Sequence, residues 1–353
     1  MDALLSPRRR HLIAAFGAAA LGAACGQRGA SDAPPRRAAV LRLAGTTMGS
    51  TFSVRIAGGP FAAGFEREAH EAVSAAFAGV VERMSTYEPG SEVARLNRHG
   101  ATTPFALSGQ TMAVLERAEQ VARLSGGAFD VTVAPLVGAW GFGAAAAPRT
   151  RLPDASALAS PIGWRALTLE LGARQVRKTN GALQIDLSGI AKGHAVDRAA
   201  VALEALGLQH FMVEAGGEIR TRGRNGEGRP WQIAVEKPDA WPQQVQRVVP
   251  LAGGSIATSG DYRSYWEHAG RRIHHEIDPR TRAPAAHRLA SVSVLHQECM
   301  AADAWATALF VLGPERGLAL AEAERLAALF IVREPGGALR EIASGAFDAM
   351  ARA

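Results

Sequence analysis

The chain has 353 residues, of which 48% are hydrophobic and 20% are charged, and its formal net charge is +6. This composition excludes an intrinsically disordered chain, and the length allows a large hydrophobic core. Lysine and arginine form no dense tract, so the positive charge gives little support to nucleic-acid binding and suits an anionic small molecule equally well.

The first 25 residues have the pattern of an export signal. Arg8, Arg9 and Arg10 precede an apolar stretch at residues 12–24, which is too short for an ordinary transmembrane helix. The arginines fit a twin-arginine signal and an ordinary secretion signal equally well, so we expect export to the periplasmic side. The sequence before Cys25 also resembles a lipoprotein cleavage site, with the large aliphatic residue one place too far upstream. An inner-membrane lipid anchor at Cys25 therefore stays open.

A folded domain is predicted over residues 40–345, after a flexible tether at 26–39 that contains Gly, Ser, Asp, Pro and Arg in mixed order. Apolar periodicity predicts two strands within 40–56 and helices at 65–84 and 107–124. Further strands are predicted at 167–170, 174–178, 183–187, 210–214, 218–222, 231–236, 246–251, 255–258, 272–277, 291–296 and 328–333. Further helices are predicted at 191–206, around Asp303 and at 314–326.

The strands within residues 210–251 are expected to form a meander. Residues 144–161, rich in Ala and Pro, are expected to form a surface excursion, which we call the excursion segment. The residues after 333 are expected to form a C-terminal tail. Because strands and helices come in clusters rather than in strict alternation, the pattern favours an α+β fold over a doubly wound sheet.

Asp303 and Thr307 stand four residues apart in a nearly all-apolar run that is typical of a helix. This spacing places both oxygen side chains on one helix face, one turn apart. A lone carboxylate is costly to bury without a partner, and a hard cation such as Mg²⁺ would supply one. The alternative is a partly exposed helix with Asp303 on its solvated side.

A second candidate is the run Asp-Leu-Ser-Gly-Ile-Ala-Lys-Gly at residues 186–193, which follows an apolar stretch and opens a helix. Such a turn presents backbone N–H groups and the positive end of the helix dipole to an anion, and Lys192 would add a charge. A capped helix start without a ligand is the alternative.

The third candidate is the pair His274 and His275 on a predicted strand. Adjacent strand residues point to opposite faces, so the two imidazoles cannot readily bind one metal together. One of them is expected to face a site as a general base, and the other is expected to face solvent. A pair of surface histidines is the alternative.

Taken in chain order, these segments closely resemble the ApbE-type FAD:protein FMN transferases over roughly residues 43–335. The resemblance rests on Gly-Thr-Thr-Met-Gly-Ser-Thr-Phe (45–52), Met-Ser-Thr-Tyr-Glu-Pro-Gly-Ser-Glu-Val-Ala-Arg-Leu-Asn (84–97), Ala-Phe-Asp-Val-Thr-Val-Ala-Pro-Leu-Val (128–137), Trp-Gly-Phe-Gly (140–143), the run at 186–193, Ala-Gly-Gly-Glu-Ile-Arg (215–220), Thr-Ser-Gly-Asp-Tyr (258–262), His-His-Glu-Ile-Asp-Pro (274–279) and Ala-Asp-Ala-Trp-Ala-Thr-Ala (302–308). Arg282 departs from the family, which often has glycine after the Asp-Pro turn.

The resemblance implies one large α+β domain with mixed or antiparallel sheets and helices packed around a central FAD cleft. It implies FAD contacts at Met48, Tyr87, Ala128, Phe129, Asp130, Asp186, Lys192 and Ile277. It implies Mg²⁺ ligation by the carbonyl of Gly189 and the side chains of Asp303 and Thr307. Within this frame His275 is the candidate catalytic base, and His274 is its rival.

The activity that the resemblance implies is Mg²⁺-dependent transfer of FMN from FAD to a Thr or Ser hydroxyl of an acceptor protein, with release of AMP. The implied acceptor is an exported protein, such as a subunit of a membrane redox complex, with a Ser/Thr-rich target segment. Two alternatives stay open at this point. One is an FAD pyrophosphatase that releases FMN and AMP, and the other is a non-catalytic periplasmic flavin-binding lipoprotein.

Overall fold

A computed structural model describes residues 38–350 of the chain. The export signal predicted at 1–25, with Cys25, and most of the tether predicted at 26–39 lie outside the described residues. The helices are α1 (Phe65–Met84), α2 (Glu92–Arg98), α3 (Gly109–Leu124), α4 (Ala134–Ala139), α5 (Ala155–Leu158), α6 (Ala191–Ala205), α7 (Cys299–Ala323) and α8 (Gly345–Met350). Single 3₁₀ turns lie at Val131–Val133 and Trp164–Ala166.

The strands are β1 (Ala39–Thr47), β2 (Ser50–Gly58), β3 (Phe105–Ala106), β4 (Leu167–Glu170), β5 (Gln175–Lys178), β6 (Phe211–Ala215), β7 (Glu218–Arg222), β8 (Trp231–Glu236), β9 (Val245–Leu251), β10 (Gly253–Gly260), β11 (Tyr265–His268), β12 (Arg271–His274), β13 (Ile277–Asp278), β14 (Ala283–Pro284), β15 (Leu289–His296), β16 (Ala327–Arg333) and β17 (Leu339–Ala343).

Eight of these strands form one antiparallel sheet in the order β1-β2-β6-β7-β10-β15-β16-β17. Helix α6 packs between α1 and α7, and these helices contact the sheet. The buried residues of α1 recur three or four positions apart, which is the spacing of one helix face, and they are Ala69, Val73, Phe77, Val80 and Met84. The predicted α+β fold is therefore confirmed, and so is the predicted helix at 65–84.

Strand β16 shows how the sheet separates two hydrophobic cores. Its residues alternate between the core under the helices (Ala328, Phe330, Val332) and a second core on the opposite face (Ala327, Leu329, Ile331). Successive strand residues point to opposite faces, so a strand that is apolar throughout is buried on both sides. The hairpin β8–β9 and Phe347 of α8 contribute to the second core.

A third apolar cluster lies apart from these two cores. Its buried members are Leu136, Trp140, Phe142, Trp266, Ile273 and Ile277, and the residues packed against it include Leu158, Ile162 and Ala283. The third cluster thus joins α4 and the loop after it, the hairpins β11–β12 and β13–β14, and the end of the excursion segment. These are the elements that carry the histidine pair.

Two predictions made within residues 183–251 are wrong. Residues 183–187 form no strand, because the side-chain amide of Asn97 donates to the carbonyl of Ile185 and accepts from its N–H, each at 2.8 Å. A side chain thus takes the place of a neighbouring strand. The expected meander is divided, since β6 and β7 belong to the large sheet whereas β8 and β9 form a separate two-stranded sheet.

Two further differences concern the last third of the chain. The strand predicted at 272–277 ends at His274, and the chain forms a second short strand only at Ile277. The expected C-terminal tail contains β17, which pairs with β16, and helix α8. Among residues 38–350, no helix combines the length and the apolar character that crossing a membrane requires.

Candidate functional site

Asp303 and Thr307 lie in the first half of α7, on a side that faces α6 and β10. Asp303 is only 3% exposed, so the alternative of a solvated carboxylate is wrong. Its Oδ2 accepts a hydrogen bond from the backbone N–H of Gly193 at 2.9 Å. The Oγ1 of Thr307 lies 3.1 Å from Oγ of Ser259 in β10. The spacing of four residues thus brings both oxygen side chains to one interface, as predicted.

Two glycines allow the chain to approach these side chains closely. A Cβ atom on Gly193 would lie 2.3 Å from the carbonyl oxygen of Cys299 and 2.8 Å from Cβ of Asp303. The first turns of α6 and α7 can therefore meet only if residue 193 has no side chain. A Cβ atom on Gly189 would lie 3.1 Å from Oγ1 of Thr307, so the predicted turn at 186–193 runs directly beside the hydroxyl.

Three buried acids and one half-buried lysine form a group that we call the acidic cluster: Asp303, Glu218 and Glu276, with Lys192. Nζ of Lys192 donates to Oε1 of Glu218 at 2.5 Å and lies 4.0 Å from Oδ1 of Asp303. Burial would lower the pKa of Lys192, but the carboxylates of Asp303 and Glu218 raise it above its ordinary value. Lys192 therefore carries a full positive charge among three acids.

The two glutamates of the acidic cluster hold their protons unusually tightly. Burial raises the pKa of Glu218 to about 7 and that of Glu276 to about 8, although Lys192 lowers both. Oε2 of Glu218 is buried and has no hydrogen-bond partner among the described residues. When both glutamates are ionised, one lysine does not balance three carboxylates, so a further cation would stabilise the ionised cluster.

The two histidines occupy different environments. His274 is buried, its Nε2 lies 2.9 Å from the carbonyl oxygen of Ala285, and its ring packs edge-on against Phe310. It faces the protein interior, so the expectation that one histidine of the pair faces solvent is wrong for His274. Burial lowers its pKa to about 4.

His275 is the histidine that opens toward the acidic cluster. Its side chain is 40% exposed, and its Nε2 lies 3.6 Å from Oε1 of Glu276. Nδ1 lies 3.2 Å from the carbonyl oxygen of Ser264, which can only accept, so Nδ1 carries the proton of the neutral ring and Nε2 has a free lone pair. Burial of the rest of the ring, opposed by the Ser264 carbonyl, lowers the pKa of His275 to about 4.

His275 and three loop side chains near it form a set that we call the rim: Tyr87, Phe142, Arg149 and His275. The rings of Phe142 and His275 are 6.2 Å apart, and the guanidinium of Arg149 lies 4.8 Å above the Phe142 ring. Tyr87 is 66% exposed. Partial burial and the Asp186 carboxylate raise the pKa of the Tyr87 hydroxyl, while Arg149 lowers it, so these charges lie near the same ring.

The other residues for which FAD contacts were predicted lie in different environments. The ring of Phe129 reaches the turn at Gly189, since a Cβ atom at residue 189 would lie 3.4 Å from Cε2 of Phe129. Asp130 uses both carboxylate oxygens locally, because Oδ1 accepts from Thr132 and Oδ2 accepts from the N–H of Trp164. Ala128 and Ile277 are buried. Asp130 therefore has a structural function that the sequence did not predict.

Met48 lies in the turn between β1 and β2, at a φ of 47°. It lines a cavity of about 540 Å³ that also includes Phe52, Phe77 and Glu88. Neither Asp303, Thr307 nor His275 lines this cavity. Reactive side chains determine chemistry, and cavity volume alone does not. We therefore place the candidate site at the acidic cluster and the rim rather than at the cavity that Met48 lines.

Comparison with known proteins identifies the fold and the family. The profile of the ApbE family matches residues 48–330. A Vibrio cholerae protein named FAD:protein FMN transferase is 42% identical over 309 residues, which are 87% of this chain and 91% of the relative. A Haemophilus influenzae protein of the same name is 40% identical over 305 residues, 84% of this chain and 88% of the relative.

The chain belongs to the ApbE family. Solved structures agree with this assignment. The structure of the flavin transferase ApbE from Vibrio cholerae has a TM-score of 0.81 at 41% identity and covers 88% of this chain and 99% of its own. The apo flavinyl transferase ApbE from Pseudomonas stutzeri has a TM-score of 0.80 at 37% identity, with 90% and 98% coverage. The resemblance inferred from the motifs is thus confirmed.

The site of this ApbE family member offers oxygen ligands that suit a divalent cation. Asp303, Thr307 and the carbonyl of Gly189 all offer oxygen atoms, which Mg²⁺ prefers. The described residues contain no group of three His, Cys, Asp or Glu side chains arranged to hold a metal, so a cation here would need further ligands from substrate or water. The unpartnered Oε2 of Glu218 and the excess of acids make the site suitable for a cation.

Three residues of the site were not predicted from the sequence. Glu218 and Glu276 stand in the quoted motifs, but no role was assigned to them there. Ser259, whose hydroxyl lies beside Thr307 and also hydrogen-bonds Glu276, stands in the quoted motif at 258–262 and was likewise assigned no role. Local sequence offered no signal for the two glutamates, because Glu218 opens the polar strand Glu-Ile-Arg-Thr-Arg and Glu276 lies between β12 and β13.

Proposed function

We propose that this protein transfers FMN from FAD to a Thr or Ser hydroxyl of an acceptor protein and releases AMP. One observation carries the proposal: in a chain of the ApbE family, buried Asp303 lies against the first turn of α6 and near Lys192, and half-buried Thr307 lies beside Gly189 in the turn before it. A pyrophosphate brought to this place would meet a positive charge and the positive end of a helix dipole.

Asp303, Thr307 and the carbonyl of Gly189 would hold Mg²⁺, which when bound neutralises the charge that develops on the pyrophosphate oxygens. The unpartnered Oε2 of Glu218 and the excess of acids over lysine explain why a cation would be favoured there. Lys192 keeps its proton and adds a fixed positive charge beside the same oxygens. Its bond to Glu218 holds the ammonium in place, so little reorganisation is needed when the phosphate arrives.

His275 takes the proton from the attacking hydroxyl. The Ser264 carbonyl fixes the tautomer with the proton on Nδ1, so the lone pair of Nε2 points away from that bond. A depressed pKa keeps the imidazole neutral at pH 7, as a base must be before it accepts a proton. The exposed ring of Tyr87 offers an apolar face on which a flavin or adenine ring can pack.

The acceptor and the compartment belong to the same proposal. The basic and apolar pattern of residues 1–25 supports export to the periplasmic side, and the small residues before Cys25 support a lipid anchor at the inner membrane. The acceptor is then an exported protein with an accessible Ser/Thr-rich segment. Metabolic labelling with a tritiated fatty acid would test the anchor, because a Cys25→Ser variant should lose the label.

The decisive assay combines the purified full-length protein, FAD, Mg²⁺ and an acceptor domain with a threonine-containing segment. AMP release is followed together with flavin fluorescence that survives a denaturing gel. AMP with a fluorescent acceptor band is the expected result. AMP with free FMN and no band would favour a pyrophosphatase, and intact FAD without AMP would identify a flavin-binding protein; either outcome would overturn the proposal.

The first variant to test in this assay is His275→Asn. Loss of a general base should lower kcat by about 10²–10⁴-fold, while FAD binding stays near that of the wild type. His268→Asn is a matched control, because His268 is also partly exposed but lies in β11 away from the acidic cluster. If His275→Asn retained wild-type kcat, another group would have to take the proton.

A further inference from the structure

The excursion segment, residues 144–161, is the part of the site region whose position the proposed reaction leaves unexplained. Most of its residues are exposed, and its helix α5 has four residues. A segment with so little buried surface needs specific contacts to keep one position. Two arginines, one inside the segment and one outside it, supply such contacts.

Arg282 holds the C-terminal end of the excursion segment. Its Nη1 donates to the carbonyl oxygen of Leu158 at 2.6 Å and to that of Ser160 at 2.9 Å. The backbone carbonyl of Arg282 in turn accepts a hydrogen bond from the indole N–H of Trp140 at 2.9 Å. A single residue therefore links the segment, the turn between β13 and β14, and the loop that leads to Phe142.

The backbone of Arg282 shows that this link comes at a steric cost. Its φ is 60°, in the left-handed region that favours glycine. Its N–H donates to the carbonyl of Asp278 at 2.8 Å, which closes the turn. A glycine would satisfy this backbone equally well, so the arginine is explained by what its side chain does, namely its two bonds to the excursion segment.

Arg149 holds the other end of the segment at the rim. Its Nε donates to the carbonyl oxygen of Gly141 at 2.8 Å, and its guanidinium covers the Phe142 ring. Between the two arginines, Leu158 packs against the third cluster, which contains Phe142 and Ile277. The excursion segment is thus fastened at two places, and one of them lies on the Phe142 ring that neighbours His275.

We propose that Arg282 is a positioning residue that holds the excursion segment against the rim and thereby strengthens the binding of FAD. The proposal rests on the proposed function, because FAD is the ligand assigned to the rim. The guanidinium of Arg282 is occupied by the carbonyls of Leu158 and Ser160, so it acts on FAD through the segment. Its loss should therefore weaken FAD binding and leave the chemical step unchanged.

The test is Arg282→Gly, which keeps the left-handed turn and removes only the side-chain bonds. We expect backbone hydrogen exchange in residues 144–161 to rise, and the FAD dissociation constant, measured by flavin fluorescence, to rise about fivefold. KM for FAD should rise by the same factor while kcat stays within about twofold. Arg282→Lys, which can reach one carbonyl at a time, should recover part of the affinity.

Arg174→Gly is the matched control, because Arg174 also has a positive φ, 52°, but lies in the turn between β4 and β5. It should leave the FAD dissociation constant unchanged. The proposal would be overturned if Arg282→Gly freed the excursion segment without weakening FAD binding, or if hydrogen exchange there did not change. FAD binding and exchange are measured without acceptor, so they decide this proposal even if the wild type bound FAD and transferred nothing.

Discussion

The acidic cluster and the rim lie next to each other but are built in different ways. The acidic cluster brings together residues of α6, α7, β7 and the loop after β12, and its side chains are held by the Lys192–Glu218 hydrogen bond and by the bond from the Gly193 N–H to Asp303. The rim is formed by loops, and Tyr87 and His275 are partly exposed. The charged centre is therefore preorganised by the core, whereas the surface that meets the flavin depends on loop contacts.

This difference predicts two kinds of mutational effect. Changes in the acidic cluster should act on the rate of the reaction or on protein stability, because buried charges are strongly coupled to their neighbours. Changes at the exposed rim residues Tyr87 and Arg149 should act mainly on FAD affinity and leave stability nearly unchanged.

Among changes in the acidic cluster, the largest effect is expected from Asp303→Asn. Removal of one anionic ligand should cost several kcal/mol of transition-state stabilisation, which is about 10²–10³-fold in kcat, and should raise the Mg²⁺ concentration required. An asparagine can still accept from the N–H of Gly193, so the protein should stay folded. A titration of the transfer rate with Mg²⁺ measures the loss of kcat and the Mg²⁺ requirement, and circular dichroism shows whether the protein stays folded.

The pair Thr307→Val and Thr307→Ser is a control for this prediction, since only the serine retains a hydroxyl. We expect Thr307→Ser to keep most of the activity and Thr307→Val to lose it. Full activity of Asp303→Asn in buffer freed of divalent cations would contradict the assignment of a cation to the acidic cluster.

An intermediate effect is expected at His274, which is buried and neutral beneath the site. Its pKa falls from 6.5 to about 4 on folding, so between these pH values the unfolded chain binds more protons than the folded protein. The stability that neutral His274 contributes is complete above pH 6.5 and is lost as pH falls toward 4. Between pH 7 and pH 5 this loss should be about 2 kcal/mol.

Urea unfolding of the wild type and of His274→Gln at both pH values measures this contribution. The difference between the two proteins isolates His274 from other groups that titrate in the same range, such as Glu218 and Glu276, whose raised pKa values act in the opposite direction. Equal changes of unfolding free energy with pH in both proteins would show that His274 does not titrate as proposed.

The smallest effect is expected from Tyr87→Ala at the rim. Loss of one aromatic face should raise the KM for FAD about fivefold, with kcat and the melting temperature nearly unchanged, because the side chain is largely exposed. Tyr87→Phe retains the ring and should behave like the wild type. A large fall in kcat with unchanged KM would instead mean that Tyr87 takes part in the chemical step.

Local sequence patterns predicted much of the fold and the centre of the site. The helix at 65–84 was predicted from the spacing of apolar residues alone, and the pairing of Asp303 with Thr307 followed from a separation of four residues, because both patterns depend on helix geometry within one element. The prediction of a strand at 183–187 is wrong, because Asn97, which is far away in the chain, forms the backbone hydrogen bonds of Ile185. Nothing near residue 185 in the sequence reveals that partner.

The sequence by itself determined the α+β class, the family and the residues that lie one helical turn apart, since these depend on short periodicities and ordered motifs. Tertiary structure decided which histidine faces the acidic cluster, because the strand ends at His274 and the chain turns before Ile277. It also brought Glu218, Glu276 and Ser259 to Asp303 and Thr307 from three different segments. Such contacts arise from the packing of helices on a sheet, in which residues far apart in sequence become neighbours.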